Sequence, residues 1–243
     1  MEKLLIKIAK KRFKNPKSQI VHFVDDDNAN AILNDLKKYP HAYVLACLMD
    51  CQIKAERAWI IPYEIFKEIN SFKFEDLENI HIEDVKDIFN RKKLHRFNDK
   101  MAEIFYYAIK DIRNKYNGNA ANIWNNKPSS SAVVYRFLEF RGSGVKISTM
   151  AANILARQFR IPFSDYYSID ISPDVHIVRV MKRMGLVPQN ANNDMVIYKA
   201  RELNPAFPGI IDFSCWEIGR NWCKPQKPIC SNCILKDDCK KIY

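Results

Sequence analysis

With 243 residues, 47% of them hydrophobic, the chain has the material for one large domain or for two lobes sharing a groove, and wholesale disorder is excluded. Thirty-nine Lys and Arg against 28 Asp and Glu leave a formal net charge of +11, a surface suited to polyanions such as nucleic acid, although a merely soluble basic protein fits the charge as well. No apolar run reaches the roughly 18 residues that a membrane-spanning helix needs.

Residues 1–14 set Leu4, Leu5 and Ile8 among Lys3, Lys7, Lys10, Lys11 and Arg12, the pattern of a basic amphipathic helix. Such a helix lies on a membrane surface or packs its apolar stripe on its own protein; the second reading is preferred. The apolar run is shorter than that of a signal peptide, so the expected location is cytoplasmic. In that compartment, cysteines serve as ligands or buried thiols rather than as disulfides. Residues 41–61 read as a buried helix, apolar nearly all round up to Met49. Short helices are expected around Leu77 and Val85. Met101, Phe105, Ala108 and Ile112 recur at helical spacing up to a stop at Asn117-Gly118.

Pro128 and the serines at 129–131 open a further helix, with Val133, Val134, Phe137 and Leu138 expected to face inward. A link with two glycines, Phe140-Arg141-Gly142-Ser143-Gly144-Val145-Lys146, follows before helical periodicity resumes to about Arg160. Glycines let a backbone approach a phosphate closely, and with the next helix N-terminus their N–H groups make an anion site that ignores base sequence. Ser172-Pro173-Asp174 is expected to supply the cap, first position and acidic first turn of a helix running to Arg183. Two more helices are expected, at 195–203 and 211–222. Strand signals at regular spacing are absent, so the fold class is all-α.

Cys223, Cys230, Cys233 and Cys239 then form C-x6-C-x2-C-x5-C. Zinc sites usually carry two C-x2-C pairs or mix Cys with His, and only one such pair is present. An iron–sulfur cluster also takes four cysteines, and spacing alone leaves both open. Cys47, Cys51 and Cys215 are expected to be buried thiols.

The cysteine spacing, with Gly219-Arg220-Asn221-Trp222 before it, resembles the C-terminal iron–sulfur loop of the endonuclease III family of DNA glycosylases. The glycine link resembles the helix–hairpin–helix of that superfamily, whose hairpin reads L-P-G-V-G-x-K-T-A. Asp174-Val175-His176-Ile177-Val178-Arg179-Val180 resembles its D-x-H-[IV]-x-R-V segment. The resemblance covers the chain from about residue 40 to the end. It implies two helical lobes: a six-helix barrel with the hairpin at 27–150, and a [4Fe–4S] cluster lobe from 1–26 and 151–243. It implies action on double-stranded DNA that carries a lesion, mismatch or abasic site, at the nucleoid; for oligomeric state, which the sequence does not give, a monomer is the default expectation. Lys146 falls on the catalytic lysine, whose neutral amine attacks C1′, and Asp174 on the catalytic carboxylate. Cys223, Cys230, Cys233 and Cys239 fall on the cluster ligands. Arg141, Gly142, Ser143, Gly144, Lys224 and Lys227 fall on DNA-contacting positions. Gln52, in Met49-Asp50-Cys51-Gln52, falls where the family plugs the hole left by a flipped nucleotide. His176 is expected to be a structural hydrogen-bonding residue.

The sequence departs from the family at three places. Arg141 replaces the hairpin proline, Ile147-Ser148 replaces Thr-Ala, and an insertion around residues 163–168 separates the lysine from the aspartate. That insertion offers Tyr166 or Tyr167 for stacking on a base, and Asp170 as a rival carboxylate. The expected function is base-excision glycosylase with lyase activity. A glycosylase without the lyase step and a catalytically silent DNA-binding module are the alternatives.

Overall fold

The computed structural model describes residues 1–14 and 20–242; residues 15–19, inside the expected second lobe, lie outside it. The described residues are helical and irregular, with no strand. The helices are α1 (Glu2–Lys14), α2 (Asp27–Asn34), α3 (Pro40–Met49), α4 (Ala55–Trp59), α5 (Ile61–Glu68), α6 (Phe74–Leu77), α7 (Ile82–Lys92), α8 (Asn98–Tyr116), α9 (Ser130–Leu138), α10 (Val145–Arg157), α11 (Val175–Met184), α12 (Asn193–Leu203) and α13 (Asp212–Asn221). No helix among the described residues is long and apolar enough to cross a membrane.

All ten residues of α3 are buried, which makes it the central helix. Its composition dictates this: apart from His41 and Tyr43 the side chains carry no strong polar group, and both of those find partners. Tyr43 donates its hydroxyl to Ala151 O at 2.8 Å, fastening α3 to α10, and a His41 ring nitrogen lies 3.2 Å from Phe72 O. Burial pushes the His41 imidazole down to about 4, so it is neutral at physiological pH.

The single helix expected at 41–61 is three shorter ones. After Met49 the chain turns through Gln52, at φ +55, and Pro62 at the start of α5 has no N–H to continue a helix across Ile60. The first break lies in a polar stretch, with Gln52, Lys54 and Arg57 exposed, and no glycine or proline marks it before Pro62. The stop after α8 is as expected, with Asn117 and Gly118 both left-handed. α10 ends at Arg157 rather than near Arg160. In α9 the buried stripe is Ser130, Val133 and Phe137; Leu138, expected inward, ends the helix on its outer side and is 37% exposed.

α1 packs against its own protein. Leu5 and Ala9 are buried, and the helix lies on α13 and on the short 3₁₀ turn Pro208–Ile211. Arg12 pairs with Glu217 of α13 and reaches Ser214 Oγ at 3.4 Å. The segment at 163–168 is no free loop either. Ser130 Oγ bonds to Asp165, and Tyr166 stacks on Phe207 at 5.1 Å with Phe13 edge-on at 5.8 Å. Tyr166 therefore spends its ring on the protein, while Tyr167 is exposed.

Candidate active site

α9 and α10 are joined by a tight hairpin. Ser143 N donates to Phe140 O at 3.0 Å, and Gly142 takes φ +82, a conformation that L side chains rarely adopt. A Cβ on Gly142 would also meet Ile104 Cδ1 at 2.5 Å, so two independent constraints require glycine there. Gly144 differs. Its φ is an ordinary −119°, and a Cβ on it would meet nothing within 4 Å. Its bareness leaves open space in front of the first turn of α10, whose N-terminus no side chain caps. Ser143 turns its hydroxyl to within 3.0 Å of Ser148 Oγ, which braces the hairpin from behind. Arg141 lies over the Tyr107 ring and pairs with Glu103 at 3.2 Å.

Lys146 is the second residue of α10 and is exposed. Asp174 is the N-cap of α11. One of its carboxylate oxygens accepts from His176 N at 2.8 Å and from Ile177 N at 2.7 Å, which fixes the side chain rigidly. Ser172 was expected to cap this helix, but its hydroxyl lies 3.2 Å from Thr149 Oγ1 of α10, one turn beyond Lys146. The segment before α11 is thus bolted to α10. Beneath it Asp212 accepts from Ser172 N at 2.6 Å; burial pushes its carboxyl up to about 6 against the pull of that bond and of Arg157. Asp170, the rival carboxylate, is buried and held at 2.8 and 2.7 Å by both prongs of Arg201, so its charge is balanced within the protein.

Asp50, directly after α3, was missed as a functional residue. Burial pushes its carboxyl up from the ordinary range, the positive charge of Lys146 pulls it back, and the negative charges of Asp174 and Glu56 push with burial. Lys146, Asp174 and Asp50, from three separate helix ends, therefore share one electrostatic neighbourhood. An acidic residue ending a ten-residue apolar run was the available signal in the sequence. Gln52, two residues on, is exposed.

The four C-terminal cysteines line one cavity of about 30 Å³, together with Val180, Met184, Ile218, Trp222 and Leu235. Cys233 feels the other three, although burial is the larger influence raising it. Among the described residues no three His, Cys, Asp or Glu side chains are grouped so as to hold a metal ion. α11 clamps this loop. Arg183 donates to Lys224 O at 2.5 Å and Pro225 O at 2.6 Å, and Arg179 to Cys223 O at 2.7 Å and Gly219 O at 2.9 Å. His176 lies 3.0 Å from Arg179 and buttresses it. A Cβ on Gly219 would meet His176 Cβ at 2.7 Å, so α11 and α13 cross closely there. Lys224 donates to Arg220 O, and Lys227 is exposed. Cys47 and Cys215 are buried, with burial pushing both thiols up; Cys51, expected to be buried too, is partly exposed at the turn after α3.

No family model matches the chain. Over 70 residues it is 33% identical to endonuclease III of Thermotoga maritima, a match covering 29% of this chain and a third of that relative. At the level of structure the likeness is nearly complete in extent. A trapped endonuclease III–DNA covalent intermediate superimposes with a TM-score of 0.63 at 17% identity, covering 98% of this chain and 94% of the other. A thermostable thymine-DNA glycosylase gives 0.63 at 15% identity, covering 99% and 95%. The chain thus has the all-helical fold of the endonuclease III-like, helix–hairpin–helix DNA glycosylases.

Proposed function

We propose that this protein is a DNA base-excision glycosylase with lyase activity, acting through a lysine Schiff base. The observation that supports the reading is that Lys146, at the open start of α10, and Asp174, locked at the start of α11, both bear electrostatically on Asp50. In this reading the backbone N–H groups of Gly142, Ser143 and Gly144 and the first turn of α10 hold a DNA phosphate without reading sequence. The flipped nucleotide enters between the two helix starts, and Gln52 fills the gap left in the duplex. The two lobes are residues 27–150 and residues 1–26 with 151–243, and one protomer suffices.

The chemistry follows from the pair. The Lys146 Nζ lone pair attacks C1′, and the C1′–N bond breaks with its electrons leaving on the base, which takes up a proton. The Asp174 carboxylate, with one oxygen fixed by two amides, stabilises positive charge developing on the sugar. The ring then opens to an imine between Nζ and C1′. Loss of a C2′ proton allows the C3′–O bond to break, which nicks the strand, and water finally hydrolyses the imine.

Cys223, Cys230, Cys233 and Cys239 would hold a [4Fe–4S] cluster. The four thiols line one cavity, and their C-x6-C-x2-C-x5-C spacing, with one C-x2-C pair rather than two, supports an iron–sulfur cluster over a zinc ion. When bound, the cluster supplies four iron–thiolate bonds that fix the loop. Lys224 and Lys227 would then lie on a rigid basic surface facing DNA.

The test is incubation of the protein with a duplex containing one abasic site, followed by borohydride, beside Lys146→Ala. A covalent complex that the variant fails to form supports the reading. Absence of trapping by the wild type, with DNA binding intact, would move the protein to a glycosylase without lyase activity or to a silent DNA-binding module.

A further inference from the structure

Lys146 must lose a proton before its nitrogen can attack, and Asp174 is poorly placed to take it. One Asp174 oxygen already accepts two backbone N–H groups, and the carboxylate keeps its charge for the sugar. Asp50 has a different environment. It closes the last turn of α3, is partly buried, and its one described side-chain bond is a long contact of 3.4 Å from the Trp59 indole nitrogen to Oδ2. The groups that face it are Lys146 from α10, Asp174 from the start of α11, Glu56 and Trp59 from α4, and Cys47 from its own helix. Lys146 is the one cation among them. Two carboxylates, Asp174 tightly held by amides and Asp50 weakly bonded, desolvated and within the field of the Lys146 ammonium, divide into a charge stabiliser and a proton carrier.

We propose, on the basis of the glycosylase and lyase reading above, that Asp50 is the proton acceptor for Lys146. One proton passes from the Lys146 ammonium to an Asp50 carboxylate oxygen, directly or through one water. The electron pair left on Nζ then forms the bond to C1′. Asp50, now neutral, returns the proton to solvent or to the departing base, which restores the starting state. The raised carboxyl of Asp50 suits this exchange, because burial has already lowered the penalty of holding the proton.

The position of Asp50 also accounts for the turn that follows it. Gln52 adopts φ +55, and Cys51 N donates to Met49 O at 2.8 Å, so the chain reverses immediately after the carboxylate. His95 is buried beside this turn, with its Nδ1 accepting from Phe97 N at 3.1 Å. A carboxylate on so fixed a turn keeps its place as substrate enters.

Asp50→Asn preserves the shape and the contact with Trp59 but cannot accept the proton. The experiment measures borohydride trapping rates on an abasic duplex from about pH 5 to pH 10, with binding to the same duplex measured in parallel. Wild type should lose rate on the acid side as Asp50 takes its own proton. Asp50→Asn should be slower at neutral pH by about 100-fold, lack that acid limb, and recover as hydroxide replaces the carboxylate at high pH. Asp50→Glu should restore part of the rate. An Asp50→Asn enzyme that traps like wild type at every pH overturns the proposal and leaves the lyase reading standing. A loss that high pH does not relieve, accompanied by weaker binding, overturns it in favour of a purely structural role. Failure of the wild type itself to trap overturns the lyase reading, and this proposal with it.

Discussion

Two helix starts contribute to the candidate site, tied together by the contact of Thr149 with Ser172, and they are built in opposite ways. α10 begins without a side-chain cap, behind a bare Gly144 and with Lys146 exposed on its first turn. α11 begins with its N–H groups already satisfied by its own Asp174. The first leaves its positive end free for an external anion. The second has used its amides to hold a carboxylate that must not move. In the proposed reading, the difference teaches that one local device, the helix N-terminus, serves binding on one lip and positioning on the other, according to its cap residue.

The largest expected effect comes from removing the charge of the locked carboxylate. Asp174→Asn keeps an oxygen for the two amides, so the melting temperature should change little while base excision falls by about 100- to 1000-fold. Asp174→Ala should lose as much activity and in addition about 1 kcal/mol of stability, from the missing cap. Equal stability of the two variants would break the claim that the carboxylate does both jobs.

The two hairpin glycines sharpen the comparison from the other lip. Gly142→Ala should destabilise the fold by about 1–3 kcal/mol, because φ +82 and Ile104 both oppose a Cβ. Gly144→Ala should leave chemical denaturation unchanged and weaken duplex binding by roughly tenfold, since its methyl enters only the space in front of α10. Reversal of these two outcomes would mean that the open space is not where the phosphate sits. Smaller still, Lys227→Ala should lower the slope of log affinity against log salt by about 1 without altering lesion preference.

The support beneath the α11 lip is titratable, and this gives the mildest prediction. The folded Asp212 carboxyl stands at about 6, above its ordinary value near 4, so the folded state binds this proton more tightly than the unfolded state does. The stability it contributes is complete below about pH 4 and is lost as pH rises to about 6. Asp212→Asn should therefore gain stability relative to wild type across that window, read from melting curves at several pH values.

Much of this arrangement is legible in the chain. Helix periodicity gives α8, α9, α10, α12 and α13 to within a few residues, because their apolar stripes end at strong stop or cap residues such as Asn117 and Ser129. The region after α3 resists such reading. Helix α3 is buried all round, so periodicity has no polar face to count from, no glycine or proline marks the break before Pro62, and Asp50 hides at the end of the run. The cap of α11 was misassigned for a related reason. Ser172 is a good capping residue, but a long-range partner, Thr149, claims its hydroxyl, and no local pattern records that contact. Tyr166 is taken by Phe207 and Phe13 in the same way.

The most direct test of the central claim is to identify the side chain that becomes bonded to DNA. Borohydride-trapped complex on an abasic duplex would be digested and the modified peptide sequenced by mass spectrometry. The account predicts the sugar remnant on Nζ of Lys146. An adduct on another lysine or on the Met1 amine, with Lys146 unmodified, would contradict it.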